Sequence, residues 1–427
     1  MAAVIVRRLL ASLAVGLVVV SSATGAGGVD GAREFTFYPQ AGLLWRDLYP
    51  NNFVDLDPGP GLQDYACGTQ TYDGHTGTDS DIRSFREMDI GVPVFAALAG
   101  EVISVQDGQF DRNHGPTSAR FDNHVVLLHG TGRYTIYGHL RKGIKLGRGD
   151  RVVAGQQLGW TASSGNSTWP HLHFTSQVGR QIHEPFSGEC NVGESGWREQ
   201  VEYPTDAYAR DFALSGAPMT GRRDLPFDEA VRTGTFVRGR RTVHARVELG
   251  GAFRPGAGLL RIRFLDPGGT QVAEAQANVA PMHGRAYWRF AAPLQLSALG
   301  TWQVVVDLDG TALVDARFRV VTSSSRVRNR PPSSVSVELR PMPPTPRSAV
   351  ECRLRTSLTT EDPDFEIVRY RYRWTVGGKL VRAVRSAALT DVLREGVAVS
   401  GKEVRCSVTP SDGKLSGRTS AASAVSR

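Results

Sequence analysis

The chain has 427 residues, 41% hydrophobic and 22% charged, with a formal net charge of +8. That balance excludes wholesale disorder, and the length exceeds one ordinary domain. No compact basic run interleaves with aromatics, which excludes a nucleic-acid binder. The excess charge fits attraction to anionic polymer surfaces, or simply an arginine-rich composition.

The first segment reads as an export signal. Arg7 and Arg8 precede the apolar run LLASLAVGLVVV, and the small residues SSATGAGG follow, with cleavage expected after Ala23 or Ala26. The run is about a dozen residues, short of the roughly 20 that a spanning helix needs. A signal over 1–26 and no stable membrane span are therefore expected, with the mature protein exported to periplasm, envelope or medium. Four cysteines in an oxidising compartment suggest two disulfides. Order along the chain favours Cys67–Cys190 and Cys352–Cys406 among the three pairings, each closing one domain.

Residues 27–205 form the first expected domain, mostly antiparallel β. Strand signals are VPVFAALAGEVISV with a break at Gly100, then NHVVLLHG and RYTIYGHL across a GTG turn, RVVAGQQLGW and HLHFTSQV. From 206 to 322, Leu260, Ile262 and Phe264 alternate with Arg261 and Arg263. Trp302, Val304, Val306 and Leu308 repeat the pattern, as do Ala316, Phe318 and Val320. That period of two predicts a β-sandwich without chemical signature. SSSRVRNRPPSSVSV reads as a linker. In the last domain, 323–427, Cys352, Trp374 and Cys406 stand in an order that resembles an immunoglobulin-like sandwich. The acidic run EDPDFE is expected to be a solvated loop rather than a Ca²⁺ site.

Eight of the ten histidines fall between residues 75 and 183. In GHTGTD, His75 and Asp79 are four apart with glycines around them, a spacing from which imidazole and carboxylate can reach one ion. Zn²⁺ takes such N and O donors, and a catalytic site keeps a fourth position open. In HLHF, His171 and His173 are two apart on a strand and share a face. In YGHL, His139 sits near a strand end. Each motif alone is weak.

Their order is not weak. H-x-G-x-D, GVPVFAALAGEV, DNHVVLLHGTGRYTIYGHL, GDRVVAGQQLGW and SSGNSTWPHLHF together resemble the LytM/lysostaphin-type zinc metallopeptidases, over about residues 70–186. Members are β-rich enzymes that cleave peptide bonds in bacterial peptidoglycan. The resemblance implies one Zn²⁺ ion held by His75, Asp79 and His173. It implies His139 and His171 as catalytic histidines beside the metal-bound water, which acts as nucleophile. Asp81 is a rival ligand, but Asp79 fits the spacing. The implied partner is the peptide cross-link of peptidoglycan. Non-catalytic members bind peptidoglycan or activate other hydrolases, but they typically lack one of these five positions.

The sequence also departs from the family pattern. SDIRSFREMDI is longer than the usual connection and is expected to be a loop beside the cleft. DGQFDRNHGPTSARFD, carrying His114, is expected to be a loose rim. In latent relatives an upstream asparagine fills the open metal position, a role for which Asn51 or Asn52 is the candidate. His124, His129 and His183 match no functional position, with His129 expected in strand packing and His183 at the surface.

Overall fold

Apolar alternation becomes extended chain almost everywhere. The computed structural model describes residues 34–427, less 116, 118–120, 131, 220–230, 252–257, 281–284 and 359–360. The expected signal segment lies outside these residues.

The first region contains β1 (Tyr49–Asn52), β2 (Thr78–Asp81), α1 (Phe85–Ile90), β3 (Pro93–Phe95), β4 (Gly100–Gln106) and β5 (His124–Leu128). It continues with β6 (Arg133–Gly138), β7 (Arg151–Val152), β8 (Gln157–Trp160), β9 (His171–Val178) and β10 (Gln181–His183). Eight strands make one sheet in the order β1-β2-β9-β6-β5-β4-β7, with β10 beside β9, while β3 pairs with β8 apart from it. The pairings of β9 with β2 and β6 are antiparallel. One face is sealed by Val125, Leu127, Tyr137, Leu172 and Phe174, all buried. Alternation then forces His171 and His173 onto the opposite face.

The expected loop after Asp79 is instead the end of β2 followed by α1. Ser84 caps the helix by accepting from Glu87 N at 3.2 Å, and Glu87 folds back onto Arg83 N at 2.7 Å. The S-x-x-E spacing is a helix-start signal of known mechanism. Phe85 and Met88 bury the helix against the core. The expected loose rim is likewise pinned where it is described. Asn113 N donates to Ser163 O at 2.9 Å, and Arg112 pairs with Asp89 at 2.6 Å.

Strands 207–215, 239–251 and 286–296 form a three-stranded sheet. It shares an apolar core with a five-stranded sheet that includes 258–265, 300–308 and 311–321. Beyond residue 335, a three-stranded and a four-stranded sheet share another core. Cys352 and Cys406 join those two sheets, with Trp374 buried in the same cluster. Cys67–Cys190 closes the first region, so both expected disulfides form.

These regions interlock, and Ala32–Arg427 is one compact unit. A single apolar cluster combines Leu48, Phe85, Phe95 and Trp169 with Ala349, Ala387 and Val392 from the C-terminal sheets. Leu389 N donates to Asp47 Oδ2 at 2.8 Å, and Glu395 N to Ala154 O at 2.9 Å. The EDPDFE run is not solvated. Asp362 and Asp364 are buried because they accept backbone N–H groups and, at Asp364, the Arg330 guanidinium at 2.9 Å. Burial, reinforced by Asp364 and Asp412, pushes the Asp362 carboxyl up to about 7.

Candidate metal centre

The strand register assembles the site. In β2 and β9, Asp79 lies opposite His173 and Asp81 opposite His171. His75 enters from the turn before β2, through a close approach that needs Gly77. A Cβ there would meet Phe174 O at 2.6 Å and His173 Cε1 at 3.0 Å. The result is a triangle. His75 Nε2 is 3.2 Å from Asp79 Oδ2, His173 Nδ1 is 2.7 Å from Asp79 Oδ1, and the two ring nitrogens are 3.2 Å apart.

The other ring atoms fix which nitrogen faces the centre. His75 Nδ1 donates to Phe53 O at 2.6 Å, so Nε2 keeps its lone pair. His173 Nε2 meets Thr175 Oγ1 at 3.0 Å, leaving Nδ1 inward. Two imidazole nitrogens and a carboxylate, all electron-pair donors, thus converge within 4.8 Å. This donor set suits Zn²⁺, which takes three such protein ligands in catalytic sites. Burial disfavours the Asp79 carboxylate, but the surrounding His75, His171 and His173 overcome it and hold the group well below the usual carboxylate range. Asn52 Nδ2 donates to Asp79 Oδ2 at 2.9 Å and orients that carboxylate. Asp81, the rival ligand, turns away to Arg285, 2.9 Å off.

His171 and His139 flank the triangle. Their rings are 4.3 Å apart, and His171 Nε2 is 3.7 Å from Asp79 Oδ1. Each gives Nδ1–H to a backbone carbonyl, His171 to Trp169 O and His139 to Ser164 O, both at 2.7 Å. Each therefore keeps Nε2 free for proton transfer. Burial, then the neighbouring His171, lowers the His139 pKa and favours a neutral ring.

His139 adopts the left-handed backbone, φ +57°, which disfavours side chains with a Cβ. Asp122 holds it there, its Oδ2 accepting from His139 N at 2.7 Å while Oδ1 takes His124 Nδ1 at 2.8 Å. Gly138 makes room, since a Cβ would meet Asp122 Oδ2 at 2.7 Å. Burial opposes ionisation of Asp122, yet His124 and His139 bring its pKa down to about 2. The motifs did not mark Asp122, whose contact with His139 spans 17 residues, or Thr175 and Trp169, which hold His173 and His171 from two residues away. His129 packs between strands as expected, with Nδ1 on Ala99 O at 2.7 Å and Nε2 on Thr135 Oγ1 at 2.8 Å. His183 is half-buried rather than at the surface. Burial, then Arg133, depresses it to about 4.

Residues 74–185 match the model for Peptidase family M23. Glycyl-glycine endopeptidase ALE-1 of Staphylococcus capitis is 29% identical over 168 residues, 36% of this chain and 43% of that protein. Peptidoglycan DD-endopeptidase ShyA of Vibrio cholerae is 37% identical over 100 residues, 23% of this chain and 19% of that protein. The solved catalytic domain of lysostaphin from Staphylococcus simulans is 27% identical, covers 32% of this chain and 86% of that one, and aligns with a TM-score of 0.22. The chain thus spans less than half the length of these two curated relatives. All five positions named from the motifs lie inside the stretch that matches Peptidase family M23.

Proposed function

We propose that the protein is an exported zinc-dependent endopeptidase that hydrolyses peptide bonds in bacterial peptidoglycan. One observation carries this: the convergence of His75, Asp79 and His173 beside two imidazoles whose Nε2 atoms are free. A zinc ion held by the three donors would supply a Lewis acid for the scissile carbonyl and acidify water. The protein's own groups supply the rest. Neutral His139 suits taking a proton at Nε2 from the attacking water. His171, once it also carries a proton at Nε2 and with Asp79 beside that charge, suits donating to the developing oxyanion or the leaving amine. Two disulfides fit the oxidising compartment that export implies. Among the described residues no helix is long and apolar enough to cross a membrane. We assign 1–26 to the signal, 27–205 to the peptidase, 206–322 to an accessory sandwich and 323–427 to an immunoglobulin-like domain.

The test is mass spectrometry of fragments released from purified peptidoglycans, with His139→Ala as control. New amino termini with the parent protein only, abolished by a zinc chelator, support the proposal. Binding without cleavage of any peptidoglycan overturns it in favour of a non-catalytic member.

A further inference from the structure

The side chain that braces the catalytic strands comes from outside the peptidase stretch. Arg285 lies at the entry to strand 286–296 of the middle region, about a hundred residues beyond the family match. Its Nε and Nη2 both sit 2.9 Å from Asp81 Oδ2. Its guanidinium covers the Trp169 ring at 4.1 Å. Nη1 reaches Tyr287 OH at 3.2 Å and lies 3.9 Å from Glu248 Oε1. Glu248 in turn holds buried Arg210 at 2.6 Å, and Arg210 Nη2 donates to Asp81 O at 3.4 Å and Asp47 O at 3.3 Å.

Both groups under Arg285 lead straight to the site. Asp81 is the register partner of His171 and stands two residues from Asp79. Trp169 O is the acceptor that fixes His171 Nδ1, and Trp169 Nε1 is itself tied to Ile82 O at 2.7 Å. One planar cation therefore grips β2 and the entry to β9 at once, on either side of His171. Arginine suits this, since a guanidinium can stack on an indole and bond a carboxylate together.

We infer that Arg285 is a positioning residue for the peptidase site, so that the middle sandwich forms part of the catalytic framework and is more than a tether. The inference rests on the proposed peptidase reading for its effect on turnover, but its effect on metal binding does not. In the full chain, Arg285→Lys keeps a charge near Asp81 and loses the plane over Trp169, while Arg285→Ala loses both. Zinc affinity is measured by chelator competition, kcat and KM on peptidoglycan fragments, and folding by circular dichroism.

Second-sphere changes commonly cost about 10–100-fold in metal affinity or activity. Arg285→Ala is expected at the upper end of that range in kcat, and Arg285→Lys at the lower end, each with KM within about twofold and zinc binding weakened in the same order. A folded Arg285→Ala with wild-type kcat and zinc affinity overturns the inference. Should that variant fail to fold, Arg285→Lys decides by the same two readouts. An inactive wild type whose zinc affinity still falls in the variants would sink the peptidase reading and leave the brace standing.

Discussion

Two carboxylates in this molecule occupy nearly the same architecture. Asp79 faces His173 across an antiparallel pair, with His171 two residues along. Asp307, in the middle region, faces Arg261 across an antiparallel pair, with Arg263 two residues along. Both aspartates are buried, and both sit between two nitrogen-bearing side chains that share one face of a strand. Arg261 and Arg263 reach Asp307 at 3.2 and 3.0 Å. The guanidinium has no lone pair to offer and stays charged, so that cluster is a finished ion pair. Each imidazole around Asp79 hands one nitrogen to a carbonyl or hydroxyl and keeps a lone pair on the other. Geometry is shared. Residue type and the second hydrogen bond decide which cluster can hold a metal and move protons.

Removing a donor from the histidine cluster should have the largest effect. His173→Ala is expected to lose zinc and turnover together, as chelation should in the parent protein. Atomic absorption alongside a wall-lysis assay checks both, and activity that survives metal removal contradicts the zinc reading. His171→Ala separates the two histidines. It should keep most of the zinc and lose about 10²–10⁴-fold in kcat, the range of a positioned acid or base. Equal zinc loss in both variants would mean that this division of roles within the pair is wrong.

A pH profile is the gentler probe. A base must be neutral to accept a proton. Because burial and His171 lower the His139 pKa, the ring stays neutral below its ordinary value near about 6.5. The acid limb of kcat/KM is therefore expected below that value. Asp122 opposes this shift, since its charge favours the imidazolium. Asp122→Asn retains an acceptor and removes the charge, so the limb should move further toward acid. A limb that moves toward neutrality would mean that the titrating group is not His139.

Much of this was legible in the residues. Period-two alternation placed the strands at Leu260–Phe264 and Tyr370–Trp374, because a half-buried sheet must alternate. The order H-x-G-x-D, YGHL, HLHF pointed to all five clustered side chains through the family it resembles, whereas spacing alone placed only His171 and His173 on one face. The helix after Asp79 was missed, although Ser84 and Glu87 carried a capping pattern, because one and a half turns give no usable period. Asp122 and Arg285 were invisible for a different reason. Their partners lie on other segments, 17 residues away for Asp122 and His139 and 204 for Arg285 and Asp81, and register and docking set those contacts.

The smallest expected effect closes the comparison from the arginine side. Asp307→Asn keeps an oxygen for Gly310 N, now 3.1 Å from Asp307 Oδ1, and removes the charge between Arg261 and Arg263. Both arginines are more than a third exposed, 36% and 37%, so water screens the pair and recovers the freed guanidinium groups. The loss should therefore be about 1 kcal/mol of unfolding free energy, near the upper end for partly exposed pairs. Denaturant midpoints measure it, and kcat should not move, because this cluster touches neither β2 nor β9. A fall in kcat at unchanged folding would show that the two carboxylate clusters are coupled through the middle region rather than merely alike.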